Sequence, residues 1–167
     1  MAKSTEPLLY HNEKYGFSLQ LPRWWRSYVV IGKSRTDPDA TDVLHFKFKY
    51  RDRIYEDIFT LLIYRMTREE WFKQGYGDSP VVLIAEHQGY LFAYVTPEEL
   101  PYAFVNPATG DYDYRRYGKA IRILKRMVND DVPRIVGTLQ FSRTNAAHLS
   151  TPYLSEQVKH CGGNKRA

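Results

Sequence analysis

Disulfides cannot hold this fold together. The 167-residue chain contains one cysteine, Cys161, and a single thiol forms no internal bridge. The fold therefore does not depend on an oxidising compartment. Cys161 sits in a Cys-Gly-Gly run near the end and reads as an incidental thiol. Long hydrophobic runs are also missing, and no stretch approaches the roughly 20 apolar residues of a membrane helix. The start, Met1-Ala-Lys-Ser-Thr-Glu-Pro7, lacks the apolar segment of a signal peptide. As written, the chain reads as cytoplasmic; removal of an export signal would make it extracytoplasmic.

Catalytic signatures are lacking as well. There is no Gly-x-Ser-x-Gly elbow, no phosphate-binding Walker loop and no His-Glu-x-x-His run. Gly75-Tyr-Gly77 is too short for a dinucleotide fingerprint, and Pro80 follows it in place of a helix. The histidines at 11, 45, 87, 148 and 160 show no spacing typical of zinc ligands. Asp37, Asp39 and Asp42 resemble a carboxylate cluster. A calcium loop, however, wants Gly at its sixth position and Glu at its twelfth, where Asp42 and Phe48 stand. The acidic pairs Glu69-Glu70, Glu98-Glu99 and Asp130-Asp131 are adjacent, and adjacent side chains on a helix do not face each other. His87 reads as a solvated turn residue. The sequence thus implies no cofactor, no metal and no enzyme.

What is present suits one domain. The length can bury a core without staples. Hydrophobic residues make up 43% and charged residues 26%, as in ordinary globular proteins. Tyrosine is abundant at 14 residues, bringing apolar area together with a hydroxyl that needs a partner. The net charge of +5 is compatible with an acidic partner.

Residues 1–11 read as a flexible lead, 12–142 as a single α+β domain, and 143–167 as a polar, largely disordered tail. Phe17, Leu19 and Leu21 alternate with polar residues, which marks a half-buried strand ended by Pro22. A second strand follows over Tyr28–Ile31, then a polar loop to Asp42. Leu44, Phe46, Phe48 and Tyr50 alternate with His45, Lys47 and Lys49, predicting a strand with one apolar and one basic face. The continuous run Ile58–Met66 suits a central strand covered on both faces. Thr67 and Glu70 form a capping box for a short helix anchored by Trp71 and Phe72. Val81–Ala85 and Tyr90–Val95 read as a hairpin connected by Glu86-His-Gln-Gly89. Thr96-Pro-Glu-Glu-Leu100 reads as a helical turn. From Asp111 the period becomes helical, with Tyr117, Ile121, Leu124 and Val128 on one stripe. Asn129–Pro133 ends that helix, or Asp131 caps a new one with Ile135, Val136, Leu139 and Phe141 packing inward. Strands first and a long helix last give an α+β protein, a twisted antiparallel sheet flanked by helices.

Two features point to recognition. Arg115, Lys119, Arg122 and Arg126 form a basic stripe opposite the apolar one. Tyr102, Phe104, Tyr112 and Tyr114 form an aromatic run interleaved with prolines and arginines, and Tyr and Arg are enriched in binding hot spots. The expected function is a non-catalytic binding or interaction module for a protein or an acidic ligand. The alternatives are an enzyme of unrecognised type or a basic-surface nucleic-acid binder. The latter lacks a helix-turn-helix, a zinc finger or a single-strand-binding pattern.

The opening Tyr10-His-Asn-Glu-Lys-Tyr-Gly-Phe-Ser-Leu-Gln-Leu-Pro-Arg-Trp-Trp25 resembles that of a group of small, mostly Firmicute bacterial proteins. Leu91-Phe-Ala-Tyr-Val-Thr-Pro97 and Asp131-Val-Pro-Arg-Ile-Val-Gly-Thr-Leu-Gln-Phe141 fit the same pattern. That pattern is similar to domains of the PsbP-like superfamily. The resemblance implies a twisted antiparallel sheet between helices and a binding or assembly role. It supplies no catalytic residues.

Overall fold

A computed structural model describes residues 5–35 and 37–143. Most of the predicted tail, and Cys161 with it, lies outside the described residues.

The protein is α+β, with two antiparallel sheets, one short helix in mid-chain and a helical segment near the C-terminal end of the described residues. Strands β1 (Leu8–Asn12) and β2 (Phe17–Leu21) pair as a hairpin, and the short β8 (Gln140–Phe141) joins the free edge of β2. The larger sheet contains β3 (Val29–Ser34), β4 (Asp42–Tyr50), β5 (Arg53–Tyr64), β6 (Val82–His87) and β7 (Tyr90–Val95), in the order β3-β4-β5-β7-β6. Three helices complete the fold: α1 (Arg68–Lys73), α2 (Tyr114–Arg126) and α3 (Val132–Gly137).

The alternation in β4 does what its pattern dictates. Leu44, Phe46 and Phe48 enter the main core, while His45, Lys47 and Lys49 face the other way. β5 is central, and Ile58–Tyr64 is covered on both faces as its apolar run requires, with Thr60 half-buried. Onto the inner face of this sheet pack Tyr10, Phe17, Leu19 and Leu21 of the small sheet and Ala120, Ile121 and Leu124 of α2. A second, smaller cluster on the outer face joins Val43, Leu62 and Ala93 to Trp71 of α1.

Several expectations are corrected. The lead is not flexible from residue 8 on: Leu8 and Tyr10 are buried in β1, so the folded unit begins there and not at residue 12. The hairpin turn is shorter than four residues. Gln88 (φ 49°) and Gly89 (φ 80°) make a two-residue turn with both φ positive, which matches strand twist and carries β6 on through His87. His87 is therefore a strand residue, stacked on Phe141 at 3.9 Å. Thr96–Leu100 forms no helical turn. Of the two proposed anchors of α1, Trp71 is buried but Phe72 is 56% exposed. The Thr67–Glu70 capping box is present, with both bonds made at 3.1 and 2.7 Å.

The chain does not break after α2. A π-helical segment, Met127–Asp131, runs straight into α3, and the Val132 amide donates to the Met127 carbonyl five residues back. Pro133 occupies the first turn of α3, the position at which a helix best accepts proline. Asp131 makes no capping bond there. Its carboxylate instead accepts a 2.8 Å bond from the buried Trp25 indole. Ile135 and Val136 are buried, whereas Leu139 and Phe141 are only partly so.

Candidate functional site

Asp113 caps α2 by accepting from the Arg116 amide at 2.9 Å. The helix buries Ala120, Ile121 and Leu124 and turns its other side to solvent. Arg115, Lys119, Arg122 and Arg126 all lie exposed on that side. Over eleven residues at 1.5 Å rise the stripe is about 16 Å long. Among the described residues, none of the four has a carboxylate within ion-pair distance. Arg126 instead lies 4.6 Å over the half-buried Trp24 ring. Tyr114, 57% exposed, flanks the stripe with Lys125, whose amine stands 5.9 Å from its ring.

The structure divides the aromatic run. Tyr102 is 82% exposed, on a 3-10 turn that spans Tyr102–Phe104. Phe104 is fully buried, stacked on Tyr117 at 4.8 Å and packed against Tyr55 at 4.9 Å. It is a core residue and not a recognition residue, because the loop folds back on itself and drives the ring inward. The Asp113 amide donates to the Phe104 carbonyl at 2.8 Å, and Val105 bridges Tyr112. Tyr112 is half-buried in that bridge. Among the described residues no ring contact or hydrogen bond joins Tyr102 to the basic stripe. Tyr114 and the four cations therefore form one surface, and Tyr102 stands apart.

A second constellation, not singled out by sequence patterns, lies on the outer face of the five-stranded sheet. Ser34 on β3, His45 on β4 and Asp57 on β5 form a hydrogen-bonded chain. The Ser34 hydroxyl oxygen is 2.5 Å from His45 Nε2, and His45 Nδ1 bonds to Asp57 Oδ2. The Thr60 hydroxyl also donates to Asp57 Oδ2 at 2.7 Å, and Lys47 Nζ lies 3.9 Å from Oδ1. His45 and Asp57 keep 18% and 20% of their side-chain surface.

Asp57 reaches this face only because β5 is irregular. The register shifts between Phe46 and Lys47, so that Asp57 faces Lys47 where strict pairing would place Ile58, and it shifts once more between Lys47 and Lys49, nearer the turn. Bulges of this kind re-aim a side chain, and they cost ladder hydrogen bonds. Polar residues on a strand are visible in sequence. Which of them meet across three strands, after a register shift, is not.

Beside this chain lies an open depression of about 560 Å³. His45, Thr60, Val43, Leu62 and Val95 come from the sheet; Asp37, Asp39, Tyr76 and Val81 come from the segments that cross it. The Tyr76 hydroxyl donates to Asp39 at 3.0 Å. Burial, with that bond, pushes the Tyr76 phenol up to about 12. Burial and the Asp37 charge likewise raise Tyr64. Both phenols are thus neutral donors that hold the Asp37–Asp39 loop over the sheet. Asp37 also accepts from the amides of Asp39 and Ala40 at 2.8 and 3.1 Å. The loop is an Asx turn and, among the described residues, no group of acids and histidines could hold a metal ion. No described helix is long and apolar enough to cross a membrane. Compared with known proteins, the chain matches no family model, no curated protein and no solved structure.

Proposed function

We propose that the protein is a binding module whose α2 face docks an acidic protein segment. The observation that carries this reading is the unopposed stripe Arg115, Lys119, Arg122 and Arg126. Within it, Arg115–Lys119 and Arg122–Arg126 are like-charge pairs four residues apart. Each such pair weakens a helix by about 0.2–0.5 kcal/mol. Arg115 and Lys119, near the N-terminus of α2, also stand against the helix dipole. Carboxylates from a partner would reverse the repulsion, and the exposed Tyr114 ring would supply apolar contact area at low entropic cost. The α+β scaffold and the PsbP-like resemblance are consistent with this role, and the role requires no chemistry at the site.

The test is fluorescence anisotropy of a labelled oligo-glutamate peptide, with oligo-dT as comparison. Wild-type protein should bind the peptide at low salt and release it as salt rises. Replacing Arg115, Lys119, Arg122 and Arg126 with Glu should abolish binding while leaving the circular dichroism unchanged. Unchanged peptide binding by the charge-reversed protein would remove the reading. Tighter binding to oligo-dT than to the peptide would replace it with a nucleic-acid one.

A further inference from the structure

We infer that Ser34 is an activated nucleophile that accepts the acyl group of small esters, with His45 as its base and Asp57 positioning His45. This site lies on the outer face of the large sheet, whereas α2 packs on the inner face, so it is independent of the proposed docking surface.

The connectivity is that of nucleophile, base and orienting carboxylate, and it is recognised by geometry, not by sequence position. A carboxylate can only accept, so the bond to Asp57 places the imidazole proton on Nδ1. In the neutral imidazole Nε2 then carries the lone pair, directed at the Ser34 hydroxyl oxygen 2.5 Å away. In that form the hydroxyl donates to Nε2, which is the arrangement general-base activation needs. Thr60 also donates to Asp57 and thereby fixes the carboxylate rotamer. The register shift between Phe46 and Lys47 brings Asp57 to this face.

The neighbouring depression sets the substrate class. Val43, Leu62, Val81 and Val95 give it an apolar lining next to the His45 ring, and Asp37 and Asp39 stand on its wall. A short apolar acyl chain fits that lining, and the two acids disfavour a negatively charged one. In the reaction, Ser34 Oγ forms a bond to the ester carbonyl carbon as the bond to the departing alkoxide breaks. The Ser34 proton passes to His45 Nε2 and from there to the alkoxide, which leaves as an alcohol. Water then attacks the acyl-Ser34 by the same route, returning the serine and releasing the acid.

The experiment is covalent labelling of the full chain with a fluorophosphonate probe, read by intact mass and peptide mapping, alongside release of p-nitrophenol from p-nitrophenyl butyrate. One adduct should map to Ser34, and Ser34→Ala should lose both the adduct and the nitrophenol release. His45→Gln and Asp57→Asn should each slow labelling at least tenfold. Absence of an adduct at Ser34 would overturn the inference. So would a labelling rate unchanged in both His45→Gln and Asp57→Asn, with folding of each checked by circular dichroism. If a variant does not fold, the map of the wild-type adduct still decides, since a purely structural serine would carry no adduct.

Discussion

At the scale of single residues, one cluster of side chains with perturbed protonation sits where the β1–β2 turn meets β4, away from the basic face of α2. Asp42, at the start of β4, accepts hydrogen bonds from both Tyr15 and Lys14, the latter at 2.5 Å. Burial works against its ionisation, but those two bonds outweigh burial and hold its carboxyl below the usual range. Burial and the bond to Asp42 push the Tyr15 phenol up to about 12 from an ordinary value of 10.0. The bond to Asp42 also raises Lys14. A group raised on folding stabilises the protein fully below its unfolded value and loses that contribution as pH climbs through the folded one. The Tyr15 contribution is thus intact at neutral pH and fades between about 10 and about 12. Urea titrations across that window should show a steeper loss of stability in the wild type than in Tyr15→Phe, which has no phenol to ionise. Equal slopes would mean that Tyr15 titrates as in the unfolded chain. None of this was legible in the sequence, because Tyr15, in the β1–β2 turn, and Asp42, in β4, are 27 positions apart.

At the scale of elements, local rules were reliable where the chain needed only its near neighbours. The capping box of α1, the alternation of β4 and the amphipathic stripe of α2 all appear in the structure as their spacing requires. The failures have local causes too. Thr96–Leu100 carries cap-like residues but no following helix to cap. The segment after α2 was expected either to end over Asn129–Pro133 or to restart as a helix capped by Asp131; a π-helical segment instead leads into α3, with Pro133 in its first turn and no capping bond from Asp131. The turn between β4 and β5 held no glycine to announce it. Arg51 (φ 49°) and Asp52 (φ 61°) both adopt the left-handed conformation there. That conformation costs an L-residue about 1–2 kcal/mol, less for Asp than for Arg. Replacing the pair with Asn-Gly, the preferred residues of such a turn, should raise stability by about 1 kcal/mol. Asp52 is 99% exposed, so losing its ion pair with Lys49 should matter little. A chemical-denaturation midpoint that did not rise would show that the turn carries less strain than its dihedral angles imply.

At the scale of the whole molecule, the two ends of the described chain are bound together in one core. β1 and β2 receive β8, and the Trp25 indole, fully buried, donates to Asp131 across 106 positions of sequence. A helix cap was one of the two readings open for Asp131; its role is tertiary instead. Asp131→Ala leaves a buried indole N–H without its partner, and an unsatisfied donor of this kind costs about 1–3 kcal/mol. The prediction is a loss of that size in equilibrium unfolding, whereas a change below half a kilocalorie would mean that water reaches Trp25. By itself the sequence determined the α+β class, the apolar face of each major strand, the amphipathic helix and its exposed cations. Each of these follows from side-chain period along one element. Tertiary structure alone decided that Phe104 is core, that residue 8 already belongs to the fold, and that Ser34, His45 and Asp57 meet. Those outcomes depend on which strands pair and in which register, and single-strand periodicity carries no information about either.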